Sequence, residues 1–191
     1  MKAVNWADVV TDSNKKEYEV INPGGYICQI VDVIDNEEYE SLKIVMDIAE
    51  GEHANYGERV SNATGYNYGY LKTSRNYSEG WEESFKAFLL TLENSNRRFF
   101  ADKFNNDPET LKGLRIGVIV GQEEYAGKNG DGVYVKKLRP RVFALTTVKK
   151  IDNGDFKVPD KPKEMSEYYA NLLTGNTGET TTEKADVDLP F

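Results

Sequence analysis

From Gly24 onward the apolar residues recur mostly at every second position, in short runs cut by Gly, Pro and Asn, and one segment alone repeats them clearly at helical spacing. A period of two sends alternate side chains to opposite faces of an extended chain, so a sequence of this kind must bury one face of a sheet. Asn22-Pro23-Gly24-Gly25 is turn chemistry that launches a β-branched strand over 26–35. Leu42, Ile44, Met46 and Ile48 alternate with Lys43, Val45 and Asp47, predicting a half-buried second strand in an antiparallel hairpin with the first, ended by Glu50-Gly51. Further strands are expected at 114–120, from Val133 after the turn Asn129-Gly130-Asp131-Gly132, and at 142–148. Pro140 cannot donate to a ladder and so predicts an edge, bulge or bend there.

The helical exception is Trp81, Phe85, Phe88, Leu89 and Leu92, preceded by Ser78 and by Glu79, Glu82 and Glu83, where a helix N-terminus favours negative charge. A second, short helix is expected around Phe99, Phe100 and Phe104, broken at Asp107-Pro108. The fold class is therefore mainly β: an OB-type barrel of five to six strands with one long helix inserted between the third and fourth. An α+β sheet with a helix on one face gives the same pattern, and periodicity does not choose between them. Residues 1–159 form one domain on this reading, with Trp6, Val9 and Val10 anchoring a polar leading arm. Residues 160–191 form a flexible acidic tail: a Pro- and Lys-rich linker at 158–163 leads to a weakly helical piece at 165–173. Beyond Gly175 the Thr/Gly/Asn/Glu composition buries too little apolar area to offset ordering entropy.

Charge narrows the functional classes. The net charge is −8, but residues 160–191 hold seven acids against three lysines, so half the deficit belongs to the tail and the body carries −4. A nearly balanced body still accommodates a local basic groove. Cys28 and His53 are single copies, which excludes an internal disulfide and the usual zinc sets of three or four ligands. No cofactor is expected. No apolar run reaches the roughly 20 residues that span a bilayer, and the N-terminus has no basic start followed by an apolar stretch, so a cytoplasmic protein without a membrane partner is expected.

Twelve tyrosines exceed what a core of this size needs, and a ring with a polar tip suits a binding surface. Tyr66, Tyr68 and Tyr70 keep a period of two and place their rings on one face with Lys72, and the segment continues to Arg75 and Tyr77. Rings that stack on bases beside cations that follow phosphates are what unpaired nucleic acid requires. A second wall is expected at the hairpin near Asn129: Tyr125, Lys128, Tyr134, Lys136, Lys137 and Arg139, with Arg141 following.

The chain ends Asp186-Val187-Asp188-Leu189-Pro190-Phe191. A terminal Phe offers both a ring for an apolar pocket and a carboxylate for Arg or Lys, Pro190 limits the conformations to be frozen, and Asp186 and Asp188 speed encounter with a basic rim. This ending resembles the acidic tip of bacterial single-stranded-DNA-binding proteins, which finish in aspartates, Ile or Leu, then Pro-Phe; Val187 stands where that family usually has another acid. The segments Gly24-Gly25-Tyr26, Leu42-Lys43-Ile44, Asp47-Ile48-Ala49-Glu50-Gly51 and Gly154-Asp155-Phe156-Lys157-Val158-Pro159 resemble a family of phage single-stranded-DNA-binding proteins found near recombination and replication genes. The resemblance implies a non-enzymatic protein that binds and protects single-stranded DNA and recruits replication or recombination proteins through Asp186, Asp188, Leu189, Pro190 and Phe191; self-association stays open. Two other classes compete. One is an adaptor of the same machinery that does not touch DNA, and the other is a metal-dependent nuclease built on carboxylates such as Glu123-Glu124. No phosphate-binding Gly-x-x-x-x-Gly-Lys-Ser/Thr loop occurs.

Overall fold

The computed structural model describes residues 20–175. Trp6, Val9 and Val10 and the terminal motif at 186–191 lie outside these residues. Five strands, β1 (Gly24–Asn36), β2 (Ser41–Ile48), β3 (Leu71–Asn76), β4 (Arg115–Lys128) and β5 (Tyr134–Thr146), form one antiparallel sheet in the order β3-β2-β1-β4-β5. Four helices accompany it: α1 (Tyr56–Thr64), α2 (Glu82–Ser95), α3 (Val148–Asp152) and α4 (Glu167–Thr174). Among the described residues no helix is long and apolar enough to cross a membrane.

Alternation does what period two demands. Cys28, Ile30 and Val33 of β1 stand opposite Ile48, Met46 and Ile44 of β2, and all six are buried on one face. The count survives the odd spacing because Val31 bulges out where the register shifts between Ile30 and Asp32. Ile116, Val118 and Val120 of β4 continue this face, and α2 closes it with Phe88, Leu89 and Leu92. Trp81, expected on the apolar face of that helix, is instead 52% exposed. The helix expected around Phe99 to Phe104 contracts to a 3₁₀ turn, Ala101–Lys103, ahead of which Phe99 is buried and Phe100 exposed.

Strand β5 is an edge strand, and it runs unbroken through Pro140 with a register shift two residues beyond, opposite Ile119 and Val120. The two strands expected at 133 and 142 are therefore one. Among the described residues five strands form, within the expected five to six, and the expected barrel is an open sheet: β3 and β5 approach each other without a hydrogen-bonded register. A six-residue β3 and a β5 that lacks a donor at Pro140 are poorly equipped to zip together.

The outer face of β1 and β4 is roofed by the chain beyond β5. An added Cβ on Gly25 would lie 2.4 Å from the Phe156 ring, one on Gly117 2.7 Å from Ile151, and one on Gly121 3.2 Å from Pro159. Three glycines thus make room for α3 and the segment after it, and Gly24-Gly25-Tyr26 meets Gly154-Asp155-Phe156 across this contact. Structure also continues past 159. Lys163 bonds Gln122 and Glu124 through its backbone, and α4 lies against β4 and β5.

Candidate nucleic-acid interface

The segment 59–72, expected to be extended with Tyr66, Tyr68, Tyr70 and Lys72 in one ladder, is mostly not a strand. Its first part is α1, which the local sequence conceals because its cap comes from another element. Asn55 at the N-terminus has φ 56° and gives no side-chain cap. Asp47 of β2 supplies it: Oδ1 accepts the Gly57 N–H at 2.7 Å and Oδ2 the Glu58 N–H at 2.9 Å. At 7% exposure Asp47 is the buried acid among the described residues, and the partial positive charge of the helix N-terminus meets its carboxylate. Gly65, at φ 76°, ends the helix in the left-handed conformation that a Cβ disfavours, and its N–H donates to Ser61.

The connection from α1 to β3 then separates the three tyrosines. Tyr66 and Tyr68 stack on each other, centroids 5.0 Å apart and planes 21° apart, and each is 54% exposed. Thr64 Oγ1 donates to the Val60 carbonyl at 2.8 Å and accepts the Tyr66 N–H at 3.0 Å, while Ser61 donates to Asn67 at 3.1 Å. The pair is therefore held before any ligand arrives. The spacing leaves no room for a base between the rings, so the outer faces of the pair are the ones available for stacking. Tyr70 leaves the ladder: its ring covers Gly57, where an added Cβ would lie 2.5 Å away, and burial pushes its hydroxyl pKa up.

Register decides the rest of the first wall. Lys72 pairs with Val45, and Lys43 pairs with Ser74, so the two lysines are diagonal neighbours on the outer face of β2 and β3. Arg75 pairs with Leu42 and therefore points to the core side, where its guanidinium lies 5.9 Å from the Phe88 ring centre and burial lowers its pKa. Tyr77 packs edge-on against Phe85 and donates its hydroxyl to Asp35 at 2.8 Å, which holds its pKa up at about 12. Arg75 and Tyr77 thus spend their side chains on contacts within the fold, while Tyr66 and Tyr68 are exposed and Lys72 is half-buried on the outer face of the sheet. Lys43, a partner of Lys72, escaped sequence reasoning because adjacency across strands depends on a register that one strand does not reveal.

Beyond Gly24, the end of β1, strands β4 and β5 project as a two-stranded arm whose tip is held by Asn129: Oδ1 accepts the N–H groups of Asp131 and Val133. The arm leaves the sheet at the end where β1 begins, the direction in which β2 also runs out into the connection bearing Tyr66 and Tyr68. Its six expected residues divide between two faces. Lys128, Tyr134 and Lys136 share one face, with the Lys128 ammonium 5.2 Å from the Tyr134 ring centre and Lys136 paired to Glu124. Tyr125, Lys137 and Arg139 share the other with Arg141. There Glu123 takes both arginines, at 3.4 Å from Arg139 and 2.9 Å from Arg141, and Lys137 donates to the Lys128 carbonyl at 2.7 Å.

This division also separates Glu123 from Glu124. Neighbours on a strand point to opposite faces, each carboxylate has its own cation, and among the described residues no three His, Cys, Asp or Glu side chains are grouped to hold a metal ion. A further cationic and aromatic turn follows α2, where Lys103 lies 4.7 Å from the exposed Phe100 ring beside exposed Arg97 and Arg98. Its signal in the sequence, Arg-Arg-Phe-Phe, was masked by the expectation of a buried helix. Compared with known proteins, the chain matches no family model and no curated protein sequence.

Proposed function

We propose that this chain binds single-stranded DNA, in the manner of a phage protein that protects unpaired strands during replication or recombination, with the Tyr66–Tyr68 pair as the stacking floor. The exposed, prepositioned ring stack carries the reading. Two aromatic faces are held nearly parallel at the surface with more than half of each side chain exposed, and a base adds to such a stack without sequence preference, at about 1–3 kcal/mol per base. Lys72 and Lys43 on the neighbouring sheet face supply positive charge for the phosphates, and the arm supplies Lys128 on Tyr134 as a second cation and ring. The strand order β3-β2-β1-β4-β5, with α2 between β3 and β4, supports reading the open sheet as a variant of the OB-type Greek-key arrangement. That fold binds oligonucleotides over its second and third strands and at the loop between its last two. Lys43 and Lys72 lie on the second and third strands, Tyr66 and Tyr68 in the connection just before the third, and Lys128 and Tyr134 where the last two strands meet.

Tyr68→Ala tests the floor. Affinity for oligo-dT should fall roughly 5- to 100-fold, while stability changes by less than about 0.5 kcal/mol because the ring is exposed. Unchanged affinity removes the floor from this account. The partner-recruiting half of the reading rests on Asp186, Asp188, Leu189, Pro190 and Phe191, outside the described residues. Deleting residues 186–191 should leave oligo-dT binding as tight or tighter while abolishing capture of a replication or recombination protein of a bacterial host's cytoplasm. Weaker DNA binding after the deletion contradicts that division of labour.

A further inference from the structure

The second face of the arm is occupied by the chain itself. After the roof segment, Lys163 runs parallel to β4 with its N–H donating to the Gln122 carbonyl at 2.8 Å and its carbonyl accepting the Glu124 N–H at 2.9 Å. Four residues on, α4 sets Tyr169 edge-on against Tyr125, centroids 6.3 Å apart, and Arg139 lies against both rings, 5.4 Å from Tyr125 and 5.7 Å from Tyr169. Tyr168 braces Tyr169 at 5.4 Å. The hold is light. An eight-residue helix does not persist alone, no residue of α4 is buried, and Ser166 gives its N-terminus no side-chain cap.

We infer that α4 is a displaceable strap, in which Tyr169 occupies the stacking place on Tyr125 and Arg139 that a base of single-stranded DNA takes when bound. This rests on the DNA-binding reading above and adds its regulation. A purine or pyrimidine offers a flat π surface to the Tyr125 ring and the Arg139 guanidinium, whose adjoining space Tyr169 fills with an edge-on ring. The two occupants therefore exclude each other, and the apparent affinity is reduced by the fraction of molecules in which the strap is closed. Since Glu123 already neutralises part of Arg139, this place recognises a ring more than a phosphate.

The test uses the full chain, a labelled oligo-dT, and two variants that loosen the strap by different means. Tyr169→Ala removes the competing ring, and Lys163→Pro removes the backbone donor to Gln122. Both should bind oligo-dT roughly two- to tenfold more tightly than the unaltered protein, and in the unaltered protein the amides of 163–174 should exchange faster when oligo-dT is bound. Affinity that is unchanged or lower in both variants, or amides of 163–174 that become more protected on binding, overturns the strap. If the unaltered protein binds oligo-dT and the variants match it, the strap alone fails. If neither the unaltered protein nor the variants bind, the DNA-binding reading fails and the strap with it. Should Tyr169→Ala not fold, judged by its melting transition, Lys163→Pro leaves every side chain of the ring cluster in place and decides the matter.

Discussion

A tyrosine can commit its ring and hydroxyl to the fold or leave its ring exposed, and Tyr77 and Tyr68 represent the two choices. Tyr77 spends both: ring on Phe85, hydroxyl on Asp35. The hydrogen bond to the Asp35 carboxylate, foremost, and then burial favour the neutral phenol, raising its pKa from 10.0 to about 12. A folded value above the unfolded one means stability that is fully present below the ordinary tyrosine range and lost as pH rises through about 12. An alkaline titration followed by phenolate absorbance should therefore contain a late component near pH 12 that Tyr77→Phe removes. At neutral pH that variant should also melt lower than the unaltered protein. A phenol titrating with the ordinary ones would mean that the Asp35 contact does not persist in solution. Tyr66 and Tyr68 share the residue type and near alternation with Tyr77, and their spacing says nothing of which ring will be spent. What separates them is register and the strand start at Leu71, neither of which a side chain advertises.

At the scale of elements, what was legible tracks where the determining contacts lie in the sequence. The β1–β2 hairpin, the arm with its Asn129 turn, the edge position of Pro140 and helix α2 are written in local periodicity and turn chemistry, and they form nearly as expected. Helix α1 was illegible because its cap, Asp47, lies in another strand and because Val60 and Gly57 are its buried residues, too few for a helical period. The same long-range contact gives a sharp prediction. Asp47→Ala leaves the Gly57 and Glu58 N–H groups without their acceptor and should cost about 2–3 kcal/mol, to be measured by urea unfolding. The loss should appear first as faster amide exchange in α1, which also carries the connection to Tyr66 and Tyr68. A cost below about 0.5 kcal/mol would mean that the helix finds another cap. The small residues at 25, 117 and 121 were equally opaque as sequence, since Phe156, Ile151 and Pro159, which lie over them, are far along the chain.

For the whole molecule, a chain of net charge −8 that is to hold a polyanion, as proposed, must do so through local potential rather than through its summed charge. The β1–β2 turn is acidic, with Asp35, Glu37, Glu38 and Glu40, and the tyrosine stack and the arm lie toward the other end of β1, where Glu50, Glu52 and Glu58 of the segment after β2 also lie. Along the arm Glu124 answers Lys136 and Glu123 answers Arg139 and Arg141, so the proposed binding draws its affinity from stacking more than from ion pairing. That balance has a measurable signature. Titrating fluorescent oligo-dT and a duplex of equal length across a series of salt concentrations tests it directly. Single-strand binding should be at least about tenfold tighter than duplex binding, with a shallow slope of log affinity against log salt, equivalent to roughly two to four phosphate contacts at about 0.7 each. Equal affinity for the duplex, or no binding of oligo-dT at low salt, would contradict it.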